Sequence, residues 1–381
     1  MSESIHSIFQ EFHNLEKPEP FWKERSKTII YGVGNTGKDV FRILKDNGIY
    51  VSSFLDQKAK PDSYWNSVPI FQYDDKRISI EELKQVNVVI ALHNRDAEIP
   101  PIIERLKLNG YKRIVTLIEL YDYFGKELGD RYWLTDRYYY LSFENEIKDC
   151  YSLWADEKSR EIYTAILHFR FTGDYSALPK PDVKYQYFPR DIPPWPTPLR
   201  LVDCGAFDGD TLKNLTEAGI KIESVVAFEP DEENFRKLVN FCKTNKMVEN
   251  AAFWPCGVWS SIAQLRFTSG QGEANQLSLT GNAIVQCVSL DEAIPFFKPT
   301  LIKMDIEGAE YDALLGTKEI IAKYRPGLAI SLYHRPEHLW EIPLLIKQLT
   351  GERESINITL EHMLSTDSIW FCMESQNKRK Y

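Results

Sequence analysis

Two stretches of this 381-residue chain set glycines between an apolar run and a helix-forming run, a pattern that lets a backbone close on a ligand. In the first, Gly32-Val33-Gly34-Asn35-Thr36-Gly37 follows TIIY, and Asp56 ends the next apolar run nineteen residues after Gly37. In the second, Cys204-Gly205-Ala206-Phe207-Asp208-Gly209-Asp210 follows a strand ending on Asp203, and Glu229 ends the next run twenty residues after Gly209. Charge separates them. Asp203, Asp208 and Asp210 crowd the second turn, so a pyrophosphate on that helix N-terminus would meet like charge and forfeit the usual advantage of the position.

A ligand with a cationic amino-acid end suits the second turn better. Acids at the strand end favour an ammonium and a sulfonium, backbone N–H groups of the turn remain for a carboxylate, and Glu229 can accept from both hydroxyls of a ribose. S-adenosylmethionine (SAM) has all of these parts, which makes Asp203, Gly205, Ala206, Gly209, Asp210, Glu229 and Pro230 the candidate cofactor-binding set. An acidic helix cap after an ordinary strand is the plainer account of the turn, but it leaves the spacing to Glu229 unexplained. The first turn carries no acid, so Gly32, Gly34, Gly37 and Asp56 form a dinucleotide fingerprint in its proper context. It reads either as a second site, for a nucleotide or nucleotide sugar, or as a degenerate domain used to position substrate or to dimerise. His93, Asn94 and Arg95 follow a nearby strand.

Methyl transfer from a sulfonium is an in-line displacement that needs an aligned hydroxyl and an acceptor for its proton. Asp305, Glu307 and Glu310 follow the strand LIKM, and His334 follows LAISLY, which puts them at strand ends where such sheets bind ligands. His334 is the preferred base because an unperturbed imidazole titrates nearest neutrality, although capping a strand is an equal account of it. Asp305 and Glu307 complete the catalytic set, and Asp305 also reaches toward the cofactor. His334 and His338 have the spacing of a helical metal pair beside Asp305, Glu307 and Glu337, but Pro336 interrupts it, so no metal is expected. Asp191-Ile192-Pro193-Pro194-Trp195 is similar to the Asp-Pro-Pro-Trp motif of adenine-N6 methyltransferases. An inserted Ile and a proline-rich setting away from any core strand argue against that match.

These residues require a frame. The alternation of strand, turn and helix from Thr28, and its restart at Leu199, predict an α/β chain of two doubly wound Rossmann-like domains, the C-terminal one with the class I SAM methyltransferase fold and an inserted β-hairpin. The expected organisation is an N-terminal arm (1–25), a Rossmann-like domain (26–120), a helical and proline-rich connector (121–198) and the second domain (199–381). Seven prolines between Pro179 and Pro198 set the boundary. Within the second domain AFWPCGVW reads as one strand, Tyr311 to Lys323 as one helix, and Ala263 to Thr268 with Ala283 to Val288 as an antiparallel insertion.

Composition narrows the function classes. A formal charge of −9 argues against a nucleic-acid partner, since that affinity rests on basic side chains. No apolar run is long enough to span a bilayer, and the N-terminus lacks a signal-peptide pattern. Six scattered cysteines form neither a disulfide framework nor a zinc ribbon, so reduced thiols and a cytoplasmic location are expected. A homo-oligomer is compatible with all of this.

Taken in order, LVDCGAFDGDT, VVAFEP, VSLDE, LIKMDIEGAEYDALLG and LAISLYHRPEHLW resemble the FkbM family of SAM-dependent methyltransferases, over about residues 145–375. The resemblance implies O-methylation of a hydroxyl on a small-molecule or glycan substrate, a carbohydrate, glycan precursor or related metabolite. The N-terminal stretch is less specifically similar to nucleotide-binding-type domains appended to sugar-modifying enzymes, and its glycine turn from Gly32 to Asp56 leaves the alternative of an NAD- or nucleotide-sugar-binding oxidoreductase or regulatory module. The acceptor pocket is expected in variable loops, Tyr185 to Trp195 and Gly270 to Gly281.

Overall fold

The computed structural model of the chain describes residues 5–17, 19–23, 27–73, 83–92, 98–179, 187–188, 194–245, 248, 250–267, 283–351, 356–362 and 368–374. His93, Asn94 and Arg95, the loop from Gly270 to Gly281, and all of Tyr185 to Trp195 except Tyr187, Phe188, Pro194 and Trp195 lie outside the described residues. The fold is mixed α/β with parallel sheets, in two compact units. One comprises residues 1–144 and 164–179; the other comprises 145–163 and 180–381. Among the described residues no helix is long and apolar enough to cross a membrane.

The first unit is built on β1 (Thr28–Tyr31), β2 (Val51–Leu55), β3 (Ser63–Trp65), β4 (Val68–Phe71), β5 (Asn87–Ile90) and β6 (Arg113–Val115), with sheet order β3-β4-β2-β1-β5-β6. All pairings are parallel except that of edge strand β3 with β4. TIIY and NVVI are apolar at nearly every position because both faces of a central parallel strand are covered, and β1 and β5 are buried throughout. Helix α1 (Ile5–Asn14) precedes the sheet, and α2 (Asn35–Asp46), α3 (Ile99–Leu108) and α4 (Leu117–Leu128) belong with it; of the two helices that follow, α5 (Glu144–Tyr151) falls in the second unit from Asn145 on, and α6 (Glu157–Thr172) is divided between the units after Tyr163. The chain leaves β1 between β2 on one side and β5 on the other, so the strand order reverses at the glycine turn.

The second unit repeats this logic on a seven-stranded sheet, with β7 (Leu199–Cys204), β8 (Ile222–Phe228), β9 (Asn250–Trp254), β13 (Leu301–Met304), β14 (Gly327–Ser331), β15 (Ile356–His362) and β16 (Ser368–Glu374). Their order is β15-β16-β14-β13-β7-β8-β9, and β16 alone runs antiparallel to its two neighbours. A small separate sheet holds β10 (Gly257–Val258), β11 (Ala263–Phe267) and β12 (Ala283–Val288), with β11 antiparallel and β10 parallel to β12. The helices are α7 (Asp210–Glu217), α8 (Glu232–Asn245), α9 (Leu290–Ala293), α10 (Glu310–Leu315), α11 (Lys318–Tyr324) and α12 (His338–Thr350).

Two elements differ from the sequence reading. AFWPCGVW is two strands in two sheets, because Pro255 has no N–H to continue a ladder after Trp254. The single helix expected from Tyr311 to Lys323 breaks at Gly316, where a Cβ would lie 2.3 Å from the Trp259 carbonyl oxygen. Backbone from another segment occupies the space a side chain would need.

Candidate active site

The strand order of the second unit reverses between β7 and β13, and in open α/β sheets that is where a crevice opens at the carboxyl ends. Asp203 lies in β7 next to its end, Glu229 follows β8, Asp305 follows β13, and His334 stands three residues past β14. The expected SAM-binding and catalytic residues are thus delivered to one sheet edge by four adjacent strands.

The turn after β7 is tightly made. Gly205 has φ +76°, and a Cβ there would fall 2.0 Å from the Asp305 carbonyl oxygen, so only glycine lets β13 end so close. Gly209, with φ +96°, precedes α7, and its missing side chain makes room for Phe241. The N–H groups of Gly205 and Ala206 both donate to the Phe228 carbonyl at 3.0 Å, Gly209 donates to Ala206, and Phe207 donates to Glu229. The expectation that these N–H groups remain for a ligand carboxylate is therefore corrected: the turn uses them to fix its own shape against β8.

Glu229 is pinned at both ends. Its Oε2 accepts from Phe207 N at 2.9 Å and its Oε1 from Asp231 N at 2.8 Å, while its own N–H donates to the Trp254 carbonyl. Each carboxylate oxygen keeps lone pairs beyond these bonds. Burial pushes the carboxyl up to about 7, against the two backbone hydrogen bonds that favour its charge. Pro230 follows, half-buried, and Asp231 caps α8 by accepting from Glu233 N and Asn234 N at 3.0 Å.

Asp203 is wholly buried and does not face the crevice as a bare charge. Lys303, opposite it in register on β13, places Nζ 3.1 Å from Asp203 Oδ1 and donates to the Gly205 carbonyl at 2.6 Å. Burial raises the Asp203 carboxyl to about 6 despite the lysine. For Lys303, burial acts downward, but Asp203, Asp305 and Asp210 outweigh it and hold the ammonium firmly charged. Lys303 was missed in the sequence reading, although a lysine inside LIKM, a strand buried at all four positions, signals a buried partner. Asp210, at the start of α7, is itself raised by burial.

Past β13, Asp305 accepts from the Tyr187 hydroxyl through Oδ2 at 3.1 Å and from the Tyr333 hydroxyl through Oδ1 at 3.0 Å. His334 is buried among carboxylates: Nε2 is 3.4 Å from Asp305 Oδ1 and 3.6 Å from Glu307 Oε2, and Nδ1 is 2.8 Å from Glu310 Oε1. Glu310 is completely buried; it also accepts from Ile306 N and Gly308 N and lies 3.3 Å from His338 Nδ1. Burial acts to lower His334, but Glu310, Glu307 and Asp305 carry it to about 10. An unperturbed imidazole, the ground for preferring His334 as base, does not describe this ring, which the surrounding carboxylates hold toward its charged form. Pro336 does not separate the two histidines, since both reach Glu310. Asp305, Glu310 and His334 offer donor atoms within 4.8 Å of one another, and the 2.8 Å approach of the His334 ring to the Glu310 carboxylate is an ion-pair contact.

Residues 203–364 match the model of the methyltransferase FkbM domain. The second unit carries an FkbM methyltransferase domain. The crystal structure of a methyltransferase FkbM from Methylobacillus flagellatus KT aligns with 97% of this chain and 100% of its own, at a TM-score of 0.74 and 19% identity. At that identity the likeness establishes a shared fold. An rRNA methylase from Streptococcus thermophilus aligns over 48% of this chain and 90% of its own, at 14% identity and a TM-score of only 0.31. No match is found among curated proteins. In the FkbM domain the four strand ends described above bring Asp203, Gly205, Gly209, Glu229, Asp305, Glu307 and His334 to one edge. Tyr187, Lys303 and Tyr333 are the additions that the structure makes.

Proposed function

We propose that the FkbM domain transfers a methyl group from SAM to a hydroxyl of a carbohydrate, glycan precursor or related metabolite. The observation that carries this reading is Glu229, held by two backbone N–H groups at the end of β8 beside the glycine turn, where its remaining lone pairs suit a ribose diol. Asp210 and Asp305 supply the negative surroundings a sulfonium and an ammonium favour, since Asp203 is already matched by Lys303.

The acceptor hydroxyl belongs near Asp305. As its oxygen forms a bond to the methyl carbon and the carbon–sulfur pair leaves with sulfur, the oxygen becomes positive and its proton strongly acidic, so even a carboxylate that, against burial, Lys303 and His334 hold below the usual range can take it. Asp305 is that acceptor in this reading, with Glu307 beside it. His334, engaged on both ring nitrogens, keeps the two carboxylates in place and balances their charge. A cytoplasmic reaction fits the five described cysteines, all free thiols.

Calorimetry with SAM, followed by a mass-spectrometric search for methylated products in a glycan and nucleotide-sugar extract, tests the reading. Micromolar SAM affinity that falls at least about tenfold in Glu229→Ala, with a gain of one methyl on a hydroxylated product, is the expected result. NAD(H) binding and hydride turnover with no SAM affinity would replace it with the oxidoreductase.

A further inference from the structure

The glycine turn of the first unit is built for a ligand that the methyltransferase reading does not use. Gly32 has φ +102°, and a Cβ on Gly37 would fall 2.0 Å from the Gly32 carbonyl oxygen, so both are explained by the fold of the turn. Gly34 is not. Its φ of −69° and ψ of −170° are open to any residue, and a Cβ there would meet nothing within 4 Å. Neither backbone strain nor a neighbouring atom accounts for glycine at this position, whereas a ligand lying against the turn would.

Three further groups converge on the same edge. Asp56, at the end of β2, accepts from Val33 N at 3.4 Å and from Lys58 N at 2.8 Å, the arrangement Glu229 has in the other unit. Arg131 stands at the first turn of α2, with Nη1 3.4 Å from Thr36 Oγ1 and Nη2 2.6 Å from Asp39 Oδ2. Tyr31, the last residue of β1 and 3% exposed, has Gln57 as its hydroxyl's side-chain partner and Asp56 and Arg105 as charged neighbours. The segment from Gly32 to Lys38 contains no acid. An anion at the N-terminus of α2 therefore meets the helix-end dipoles and a guanidinium that Asp39 already holds in place, with the Asp56 carboxylate on the side where β2 ends.

We propose that the first unit binds a nucleoside diphosphate moiety, its phosphates over Gly34 and the start of α2 near Arg131, and its ribose hydroxyls on Asp56. Phosphate and diol are common to dinucleotides and nucleotide sugars, and the turn recognises that shared part.

Calorimetry on the full chain with ADP, adenosine, NAD+, UDP-glucose and GDP-mannose tests it. At least one diphosphate is expected to bind at one site per chain, with adenosine at least about tenfold weaker. A tighter NAD+ than ADP marks a dinucleotide site, and a tighter UDP-glucose or GDP-mannose a nucleotide-sugar site. Gly34→Val, whose side chain enters open space at the cap of α2, is expected to lower the thermal midpoint slightly and to leave SAM affinity unchanged while diphosphate binding falls at least about tenfold. Arg131→Gln is expected to weaken ADP and spare adenosine. No binding of any diphosphate, or binding retained in Gly34→Val and lost in Glu229→Ala, overturns the proposal, because the latter would place the nucleotide in the other unit.

Discussion

Glu229 and Asp203 are both strand-end acids raised by burial, yet they have different work to do. Asp203 is compensated by Lys303 and is a fixed part of the sheet edge, whereas Glu229 has only backbone N–H partners and keeps a free demand for hydrogen. With its carboxyl pushed up to about 7, Glu229 is partly protonated near neutrality in the free protein. A ribose diol donates to the ionised form, so SAM binding must expel that proton. Affinity is expected to be full above about pH 7 and to weaken by up to about tenfold per unit below it. Calorimetry from acid to alkaline pH reads the slope, and Glu229→Gln removes it; affinity that strengthens toward acid would refute the assignment. Asp203, Glu229, Asp305 and His334 were legible in the sequence because each stands at or just past a strand that its apolar run betrays. The charge of His334 was not. It depends on β13 and β14 pairing in register, which brings Glu307 and Glu310 around a ring more than twenty residues away.

At the scale of elements, the closeness of β7 and β13 is what assembles the site, and Gly205 is the residue that permits it. An alanine there combines a left-handed φ with a Cβ 2.0 Å from the Asp305 carbonyl, so the loop after β13 has to move. Gly205→Ala is expected to cost about 2 kcal/mol or more in a urea melt and to weaken SAM binding with it. A variant within about 0.5 kcal/mol of the parent would mean the two strand ends are not held together by this contact. The same physics explains why some elements escaped the sequence. Gly316, where an otherwise helical run is interrupted, has to be glycine because the Trp259 backbone occupies its side-chain volume, and nothing local in the sequence announces Trp259. Pro255, by contrast, is visible, and the split of AFWPCGVW follows from it.

For the chain as a whole, the question is whether the proline-rich stretch before Leu199 is a tether or part of the second unit. Composition reads it as a connector, because so many prolines exclude helix and central strand. Tyr187 and Trp195, however, belong to the buried cluster that contains Leu199, Leu201, Leu212, Leu215 and Leu301. Trp195 Nε1 donates to the Tyr187 carbonyl, and the Tyr187 hydroxyl donates to Asp305. Prolines exclude regular structure without excluding burial, so a segment with no periodic pattern can still be core. Trp195→Ala in the full chain is expected to destabilise by about 3 kcal/mol or more, the cost of emptying a buried indole site. It is also expected to lower methyl transfer, since Tyr187 loses the contact that holds its backbone. Tyr187→Phe separates the two effects: the ring stays, the bond to Asp305 goes, and stability should change by no more than about 1 kcal/mol while turnover falls. If Trp195→Ala melts within about 0.5 kcal/mol of the parent, as a surface substitution would, the stretch is a tether and the second unit starts at Leu199.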